Sequence, residues 1–542
     1  MPTWAFPTWR ISNRRGRGDV KNPEKVDVVI VGSGAAGSVY AAVFAEAGKS
    51  VLVLEKGTDR KLTDLYSSQI WARRLKWGAP HVFEAGKDSI WYNFNAGNGY
   101  GGAAMHHYGV WPRYHPEDLQ EYSRFGKGLD WPLEYDQLRP WYDQVQADVG
   151  MSGDAEKEIW RPPGAPYPLP PLPVFVHGEV LARGFEALDL RTSPIPVAIL
   201  SQDYKGRPAC IYDSWCDAGC PTGALANPLV EYLPRATAAG AVLQPDSYVT
   251  RVLTDRNGNK ATGVEYYDKT GERHEQLADA VVVAAFTVEN CRILLNSATG
   301  NHPGGLGNSS DTLGRYLMSH PAVNIFGMFR EETHCYQGVS GGQLFSQDGF
   351  DKDKGKEIFG SRQWEIGLGT KPNDLLGIAM SRAELFGNDL HDFVKRGSRH
   401  FGAMVGVCEC LPHGDNRIEL TDSKDRFGMR LARSTFNLDD YARNLWRETA
   451  DLGVEIFKAA GAIEAWHSPP GGQHIMGGTI MGRDRNTSVT NEYAQLHDVP
   501  NVIIGGPSVF PTSSSVNSTF TAHAVALRSA RHVADHWGGL LA

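Results

Sequence analysis

The sequence predicts an α/β fold of the Rossmann type that is interrupted by insertions, and three observations lead to this. A β-branched run near residue 30 ends in a glycine-rich turn and is followed by a small-residue helix pattern. A second apolar run ends at the acidic residue Glu55. Two more apolar runs lie far down the chain, at 246–252 and 280–285. We expect these runs to join the same sheet, so the domain is expected to be discontinuous.

The first βα unit reads VDVVIVGSGAAG at residues 26–37. Gly32 permits the tight turn, Gly34 lets a pyrophosphate approach the backbone, and Gly37 allows the helix to pack closely on the strand. Ala35 and Ala36 open the helix, whose free N–H groups suit a phosphate. The segment therefore predicts a dinucleotide site, although the motif alone does not distinguish NAD from FAD.

Glu55 ends the second strand 18 residues after Gly37 and is expected to hold the adenosine ribose hydroxyls. A glycine-rich turn with no ligand is the alternative. Val249 and Ala285 belong to the two later runs, with a β-meander between them at 261–268. This arrangement favours FAD over NAD.

Composition limits the partners. The chain has 542 residues with 41% hydrophobic residues, which predicts two domains, and its net charge of −8 disfavours nucleic acid. No run approaches the roughly 18 apolar residues of a spanning helix, so we expect membrane association only through partners. Residues 1–24 are expected to form a loosely ordered arm without a secretory signal. Alternatively, Trp4, Phe6 and Trp9 of this arm anchor a partner subunit.

Three cysteines, Cys210, Cys216 and Cys220, lie within eleven residues and are followed by Pro221. Thiolates are the usual ligands of iron–sulfur clusters, and a C-x5-C-x3-C-P run lets one loop wrap a cluster. Structural or disulfide-bonded cysteines are the alternative, while a zinc site would lack a nearby fourth ligand. The other four cysteines are scattered, so no disulfide framework is expected.

Several sequence motifs that occur in a characteristic order along the chain indicate a protein family. The chain contains NGYGG at 98–102, QHIMGGTIMG at 473–482, NVIIGG at 501–506 and SVNSTFTAHA at 515–524. With these motifs it resembles the glucose–methanol–choline (GMC) oxidoreductases over essentially all residues after 24. GRPAC at 206–210, the cysteine spacing and GRYLMSHP at 314–321 are similar to the catalytic subunits of bacterial glucose, gluconate, fructose and glucoside dehydrogenases.

The resemblance implies a mixed α/β architecture with a discontinuous Rossmann-like FAD-binding domain and an inserted substrate-binding domain built on an antiparallel sheet. The FAD-binding domain is expected to comprise 25–58, 239–320 and 470–542. The substrate or cap domain is expected to comprise 59–238 and 321–469, including the cysteine loop 210–221. Aromatic residues of the cap are available to stack on sugar faces: Trp111, Tyr114, Trp364 and Phe401.

The resemblance also implies how FAD is held. Gly101, Gly102 and His106 are expected against the flavin, and Gly506 near the cofactor. His106 stands at the position that is flavin-linked in the related pyranose oxidases, but the nearest dehydrogenases hold FAD noncovalently, which we expect here. The three cysteines imply a 3Fe–4S cluster, with a four-iron cubane completed by a distant cysteine as the alternative. Ile211 replaces a second cysteine of the family, which is dispensable only if Cys210 is the true ligand.

Two residues are expected to carry the chemistry. His474 is the candidate base that removes the substrate hydroxyl proton while a hydride moves to flavin N5. Asn517 stands where the family carries His or Asn, and its amide can orient the hydroxyl and stabilise alkoxide charge. His320 and His523 are expected to make structural contacts only.

The resulting expectation is an FAD-dependent sugar or polyol dehydrogenase that passes electrons through the cluster to a cytochrome c or a quinone. An oxygen-using alcohol or sugar oxidase and a noncatalytic electron-transfer subunit are the alternatives. The resemblance implies a small export subunit and a multihaem cytochrome c as partners. It also implies a location at the periplasmic face of the inner membrane, with the cytoplasm as the alternative.

Overall fold

The computed structural model describes residues 24–76, 78–353 and 357–541. Its strands are β1 (Lys25–Val31), β2 (Val51–Leu54), β3 (Val82–Gly86), β4 (Ser193–Pro194), β5 (Val242–Gln244), β6 (Tyr248–Thr254), β7 (Ala261–Tyr267), β8 (Arg273–Val283), β9 (Met318–Met328), β10 (Leu344–Ser346), β11 (Arg362–Ile366), β12 (Phe401–Cys408), β13 (Arg417–Lys424), β14 (Arg430–Phe436), β15 (Glu464–His467), β16 (Gly471–Met476) and β17 (Val502–Ile504).

The helices are α1 (Ala35–Glu46), α2 (Gln69–Arg74), α3 (Tyr92–Asn95), α4 (Glu121–Phe125), α5 (Tyr135–Val149), α6 (Val176–Glu186), α7 (Tyr232–Ala238), α8 (Thr287–Asn296), α9 (Asp374–Ala379), α10 (Asn388–His400), α11 (Asp440–Ala459), α12 (Ser518–Asp535) and α13 (Trp537–Leu541). Within the described ranges, none of them combines the length and the apolar character that crossing a bilayer requires. Residues 1–23 of the predicted arm lie outside the described residues.

The first sheet has seven strands in the order β5-β2-β1-β8-β7-β6, with β17 also paired to β8. The pairs β1–β2, β1–β8, β2–β5 and β8–β17 are parallel, whereas β6, β7 and β8 form an antiparallel meander. Val28, Val29 and Ile30 of the central strand are fully buried, as a parallel strand covered on both faces requires. The predicted discontinuous sheet is confirmed.

The second sheet is antiparallel throughout, in the order β15-β9-β12-β11-β10-β4 with β16 paired to β9. Helices α6 and α11 pack on it around a core that includes Trp364 and Phe457. A third sheet joins β13, β14 and β3. The predicted fold class, a mixed α/β architecture with an antiparallel second sheet, is confirmed.

The two large sheets meet where β16 ends. Strand β16 lies in the predicted segment 470–542 but pairs with β9 of the second sheet. The chain then returns to the first sheet through β17. The exact domain limits therefore stay a prediction. The residues that connect β16 to β17 lie between the two sheets.

Candidate active site

A cavity of about 260 Å³ opens at the carboxyl ends of the parallel strands. Residues that follow β1, β2, β8 and β17 line it, as does the start of α12. This is the edge at which open α/β sheets bind ligands. Residues 102–110 and the segment 473–475 close the opposite wall.

Most of the predicted cofactor residues line this cavity. They are Gly32, Gly34, Ala35, Ala36, Glu55, Gly102, His106, Val249, Ala285 and Gly506. Gly37 and Gly101 do not line it. Gly37 instead faces β1, where a Cβ atom would lie 2.1 Å from the Gly32 carbonyl oxygen. The structure thus gives Gly37 the packing role that the motif predicts.

Glu55 is buried and already engaged by protein donors. Its Oε2 accepts from the Ser33 amide at 3.1 Å and hydroxyl at 2.8 Å. Its Oε1 accepts from the amides of Gly57 and Gly99, at 2.9 and 3.2 Å. A carboxylate has about four acceptor positions, so the ribose contact requires the Ser33 hydroxyl to turn away. The ribose role of Glu55 stays a prediction.

His106 donates from Nε2 to the Ala96 carbonyl oxygen at 3.0 Å. Burial lowers the pKa of His106 to about 3, so the ring is neutral. His107 is fixed in the same way, with Nε2 donating to the Ala226 carbonyl at 2.7 Å and Nδ1 accepting from the Gly109 amide at 3.1 Å. Both imidazoles are held as neutral parts of the cavity wall.

His474 and Asn517 come together in the cavity, as predicted. The His474 Nε2 atom lies 3.5 Å from Asn517 Nδ2. His474 has a left-handed backbone with φ of 55° and sits at an irregularity of the β16–β9 pairing. The Asn95 side chain holds this conformation by accepting from the His474 amide at 3.1 Å. Such strained positions are typical of functional sites.

Two side chains of β11 orient the Asn517 amide. Gln363 Nε2 donates to Asn517 Oδ1, and Asn517 Nδ2 donates to Glu365 Oε1, both at 2.9 Å. Gln347 continues the chain by donating to Gln363 Oε1 at 3.0 Å. Because Oδ1 is taken, the Asn517 amide presents an N–H group, and not an acceptor, towards His474.

Burial controls the charges here. It lowers the pKa of His474 to about 3, with the neighbouring His320 adding to the effect. Burial raises the pKa of Glu365 to about 7, although hydrogen bonds from Asn517 and Gln363 oppose the shift. A neutral His474 is therefore available as a base at neutral pH.

His320 is more than the structural contact that the sequence predicts. Its Nδ1 lies 3.0 Å from His474 Nδ1, in the strand that pairs with β16. His523, by contrast, packs among Trp111 and Tyr232, and its Nδ1 donates to the Thr519 carbonyl oxygen.

The proposed sugar-stacking aromatic residues are elsewhere. Trp111, Tyr114, Trp364 and Phe401 are buried in the core and do not line the cavity. Their bulk fills the space between layers, where apolar area is removed from water. The aromatic residues that line the cavity are Phe94, Tyr108, Tyr248 and Phe286.

The three clustered cysteines surround a second, small cavity. All seven cysteines of the chain are free in this structure, and Cys210, Cys216 and Cys220 form no disulfide bond with one another. Each clustered sulfur has a hydrogen-bonding neighbour. The Tyr212 amide donates to Cys210 at 3.3 Å, Ser340 bonds to Cys216, and the Thr222 hydroxyl lies 3.2 Å from the Cys220 sulfur. Such donors suit sulfur atoms that carry negative charge.

The spacing of these thiols does not suit a single ion. Among the described residues, their sulfur atoms are not part of any ligand group whose members all lie within 4.8 Å of one another. Burial raises the pKa of Cys210 to about 11 and that of Cys216 to about 12, and the neighbouring thiols add to both shifts. Cys210 and Cys216 are therefore neutral thiols at pH 7 unless a cation binds beside them.

The cysteine loop packs against the wall of the large cavity. A Cβ atom at Gly219 would lie 3.3 Å from the Met105 carbonyl oxygen. Burial strongly raises the pKa of Tyr108, and Asp217 and Cys216 are among the charged neighbours that contribute. Tyr108 also lines the large cavity. The segment 105–108 thus contacts the cysteine loop on one side and contributes to the wall of the large cavity on the other.

Sequence reasoning missed His320, Gln363, Glu365 and Asn95. The pair Gln363 and Glu365 carries a detectable signal, since polar residues at i and i+2 of a buried strand share one face. Asn95 lies in a short helix with no motif of its own, and only the tertiary structure brings it to His474.

Comparison with known proteins places the chain in a family. Residues 26–322 and 412–526 match the N-terminal and C-terminal family profiles of GMC oxidoreductase. The fructose dehydrogenase large subunit of Gluconobacter japonicus is 29% identical over 532 residues, covering 93% of this chain and 97% of the relative. The 2-methyl-1,2-propanediol dehydrogenase of Mycolicibacterium austroafricanum is 31% identical over 544 residues, covering 96% and 97%.

The gluconate 2-dehydrogenase flavoprotein of Pantoea cypripedii is 27% identical over 581 residues, covering 95% of this chain and 94% of the relative. Among solved structures, a formate oxidase variant of Aspergillus oryzae has a TM-score of 0.70 at 15% identity, covering 95% of this chain and 99% of that one. This likeness confirms the fold. The profile matches span both the glycine turn at β1 and the His474–Asn517 pair, and the chain belongs to the GMC oxidoreductases, FAD-dependent enzymes that act on CH–OH groups.

Proposed function

We propose that the chain is a sugar or polyol dehydrogenase that delivers electrons, through a 3Fe–4S cluster, to a separate cytochrome c or quinone. The observation that carries the proposal is the three-cysteine loop packed on the wall of the FAD cavity. Such a loop suits one-electron transfer to a separate acceptor, which the direct reaction of a reduced flavin with oxygen does not require. Two of the relatives described above are named as sugar-acid or sugar dehydrogenases.

His474 and Asn517 divide the work on the substrate hydroxyl. The oxygen can sit beside His474 Nε2 and Asn517 Nδ2, which are 3.5 Å apart, within hydrogen-bond reach of both. His474 takes the hydroxyl proton at Nε2, while the Asn517 N–H donates to the oxygen as negative charge develops there. The start of α12 points into the cavity and favours the same negative charge.

FAD would be held by the turn from Gly32 to Ala36, by Gly102, and by the ends of the parallel strands. When bound, it supplies the hydride acceptor for the carbinol carbon. The hydrogen bond from His106 Nε2 to Ala96 supports noncovalent FAD, because it occupies one of the two ring nitrogens that could form a link.

Cys210, Cys216 and Cys220 would hold the cluster, which supplies a one-electron carrier when bound. Three thiol ligands favour the three-iron form, and no further cysteine joins the cavity among its described lining residues. Ile211 of the loop is 64% exposed, and Tyr336, whose carbonyl oxygen accepts from Ser214 of the same loop, is 42% exposed. We propose this surface as the side where the electron-accepting subunit binds.

A multihaem cytochrome c and a small export subunit remain part of this proposal, as does a location at the periplasmic face of the inner membrane. The name of the Gluconobacter relative, a large subunit, supports an assembly of unlike chains.

The test is an anaerobic titration of the purified protein with fructose, gluconate, glucosides and 2-methyl-1,2-propanediol, following the bleaching of FAD. Iron and acid-labile sulfide are assayed on the same sample. We expect bleaching by one of these alcohols and about three irons per chain. Bleaching without iron, together with peroxide formation in air, would establish the oxidase alternative. Iron without bleaching by any alcohol would favour the noncatalytic electron-transfer subunit.

Cys216→Ser is expected to remove most of the iron while FAD bleaching by substrate continues, because the thiol lies outside the FAD cavity. Transfer to an added cytochrome c should fall at least about tenfold. Cys335→Ser, a change at a buried thiol of another core cluster, is the control and should keep the iron. Unchanged iron in the Cys216 variant would refute the ligand assignment.

A further inference from the structure

Two buried histidines face each other behind the catalytic pair. His320 lies in β9, where its strand neighbour across the sheet is Gln473, the residue before His474. The pairing irregularity that follows turns His474 so that the two Nδ1 atoms are 3.0 Å apart. The ring planes are inclined by 78°. A contact this short between two nitrogens needs one proton between them.

The far side of His320 determines which nitrogen carries that proton. Its Nε2 lies 3.1 Å from the Ser513 carbonyl oxygen, which has no hydrogen to donate. Nε2 must therefore be protonated. Burial lowers the pKa of His320 to about 4, so the ring is neutral and its Nδ1 carries a lone pair only.

The proton in the short contact consequently belongs to His474 Nδ1. His474 is also neutral, so its other nitrogen, Nε2, has no proton. That nitrogen is the one beside Asn517 Nδ2 in the cavity. His474 thus donates to His320, and His320 donates in turn to the backbone carbonyl of Ser513.

The Ser513 residue, whose carbonyl oxygen accepts from His320, is itself held in place by hydrogen bonds. The Ser513 hydroxyl donates to the Cys410 carbonyl at 2.8 Å and accepts from the Cys410 amide at 3.0 Å. The Tyr114 hydroxyl donates to the Ser513 carbonyl at 2.7 Å. A carbonyl held in this way cannot turn to let His320 change its tautomer.

We propose that His320 is a positioning residue that holds His474 in the tautomer with a bare Nε2, the form that can accept the substrate proton. The inference rests on the proposed function, in which His474 is the base. A neutral imidazole without a partner can place its proton on either nitrogen, and a proton on Nε2 blocks the base. A wrongly protonated base can cost up to about 10⁴-fold in kcat.

Two substitutions separate this role from packing. In His320→Gln the amide nitrogen can take the place of Nε2 and keep the Ser513 contact, but no acceptor stands where Nδ1 was. In His320→Asn the side-chain oxygen stands near the Nδ1 position and can still accept from His474. The glutamine variant therefore loses the proposed role while the asparagine variant keeps it.

We expect kcat of His320→Gln to fall at least about tenfold with KM within about threefold, since the proton moves only in the transition state. His320→Asn should stay within about threefold of the wild-type kcat. The assay uses the alcohol that bleaches the wild-type FAD fastest, and FAD content and melting temperature are measured for both variants. Wild-type kcat in a folded His320→Gln variant would overturn the inference.

A second measurement does not depend on catalysis. Nitrogen-15 NMR of histidine-labelled, FAD-loaded protein reports which ring nitrogen is protonated, and His474→Ala identifies the His474 signals by their loss. We expect His474 protonated at Nδ1 in the wild type and in His320→Asn, and an increased Nε2-protonated population in His320→Gln. A wild-type His474 protonated at Nε2 would refute the inference, whether or not the glutamine variant folds.

The same set of variants tests the proposed function separately. His474→Ala should keep FAD and lose most turnover, whereas His391→Ala, at an exposed helix position, should keep both. Normal turnover by His474→Ala would refute the role of His474 as the base. The NMR result would still report the tautomer that His320 imposes.

Discussion

At the scale of single residues, the site depends on groups whose charge is changed by burial. His474 and His320 are held neutral, and Glu365, whose pKa is raised to about 7, is about half protonated at neutral pH. Protonation of Glu365 does not break its hydrogen bond with Asn517, because Oε1 accepts from Asn517 whether or not the carboxyl is protonated. The orientation of Asn517 is therefore stable over a wide pH range.

Glu365 should make folding stability depend on pH. Burial raises its pKa from 4.5 to about 7 in the folded protein. The folded state thus binds more protons than the unfolded state between these values. Stability from this group is complete below about pH 4.5 and is lost as the pH rises through about 7. The loss is on the order of 3 kcal/mol.

Glu365→Gln removes the titration and keeps the acceptor for Asn517. Urea unfolding at pH 5 and pH 8 should show the variant gaining stability relative to the wild type as the pH rises. Glu455→Gln, at an exposed position of α11, is the control and should follow the wild type. Parallel pH dependences for the wild type and Glu365→Gln would contradict the burial argument.

At the scale of elements, the turn between β1 and α1 is the most constrained part of the FAD cavity. Gly32 has a left-handed backbone with φ of 95°. Gly37 lets α1 approach the turn so closely that no side chain fits between them. The Gly102 turn packs on Gly34. A Cβ atom added at Gly102 would lie 3.3 Å from the Gly34 Cα. The two glycine turns thus form one unit of backbone.

Gly37→Ala should disrupt this unit. The new Cβ atom would lie 2.1 Å from the Gly32 carbonyl oxygen, so α1 must move away from β1. We expect a destabilisation of about 3 kcal/mol and weaker FAD retention, measured by thermal unfolding and flavin absorbance. Gly377→Ala in α9 meets no atom within 4 Å and should be neutral or slightly stabilising. Equal behaviour of the two variants would contradict the packing role of Gly37.

At the scale of the whole molecule, a buried ion cluster joins the two predicted cap segments. Lys352 Nζ contacts Asp118, Glu121 and Glu409 at 2.8, 2.7 and 2.5 Å. Burial, together with the charge of Glu409, raises the pKa of Glu121. Burial also opposes the charge of Glu409, but the positive charge of Lys352 and the hydrogen bonds to Glu409 together hold its pKa at about 2. The cluster therefore holds residues 118–121 against Lys352 and Glu409.

Lys352→Met is expected to destabilise the protein by about 3–5 kcal/mol, because it leaves buried carboxylates without their cation. The measurement is urea unfolding at pH 7. Arg183→Met, which breaks an ion pair whose partners are 54% and 48% exposed, should cost less than about 1 kcal/mol. A small effect of the Lys352 change would show that the cap segments are held by apolar packing alone.

The sequence by itself determined the local parts of this protein. The glycine turn, the acid after β2 and the His474 and Asn517 motifs are short-range patterns, and each predicts a backbone shape or a reactive group. The Rossmann-like part of the fold followed from the β-branched runs, the glycine turn and the helix pattern, whereas the antiparallel second sheet was implied by the family resemblance.

Only the tertiary structure decided how the distant residues meet. His320, Asn95 and Glu365 reach the catalytic pair through strand register and through packing between sheets, and neither is encoded in a local pattern. The large aromatic residues were drawn into the core because burying their area outweighs any role in the cavity. The protonation of His474 likewise depends on a carbonyl of Ser513, 39 residues further along the chain, which becomes its indirect partner only after folding.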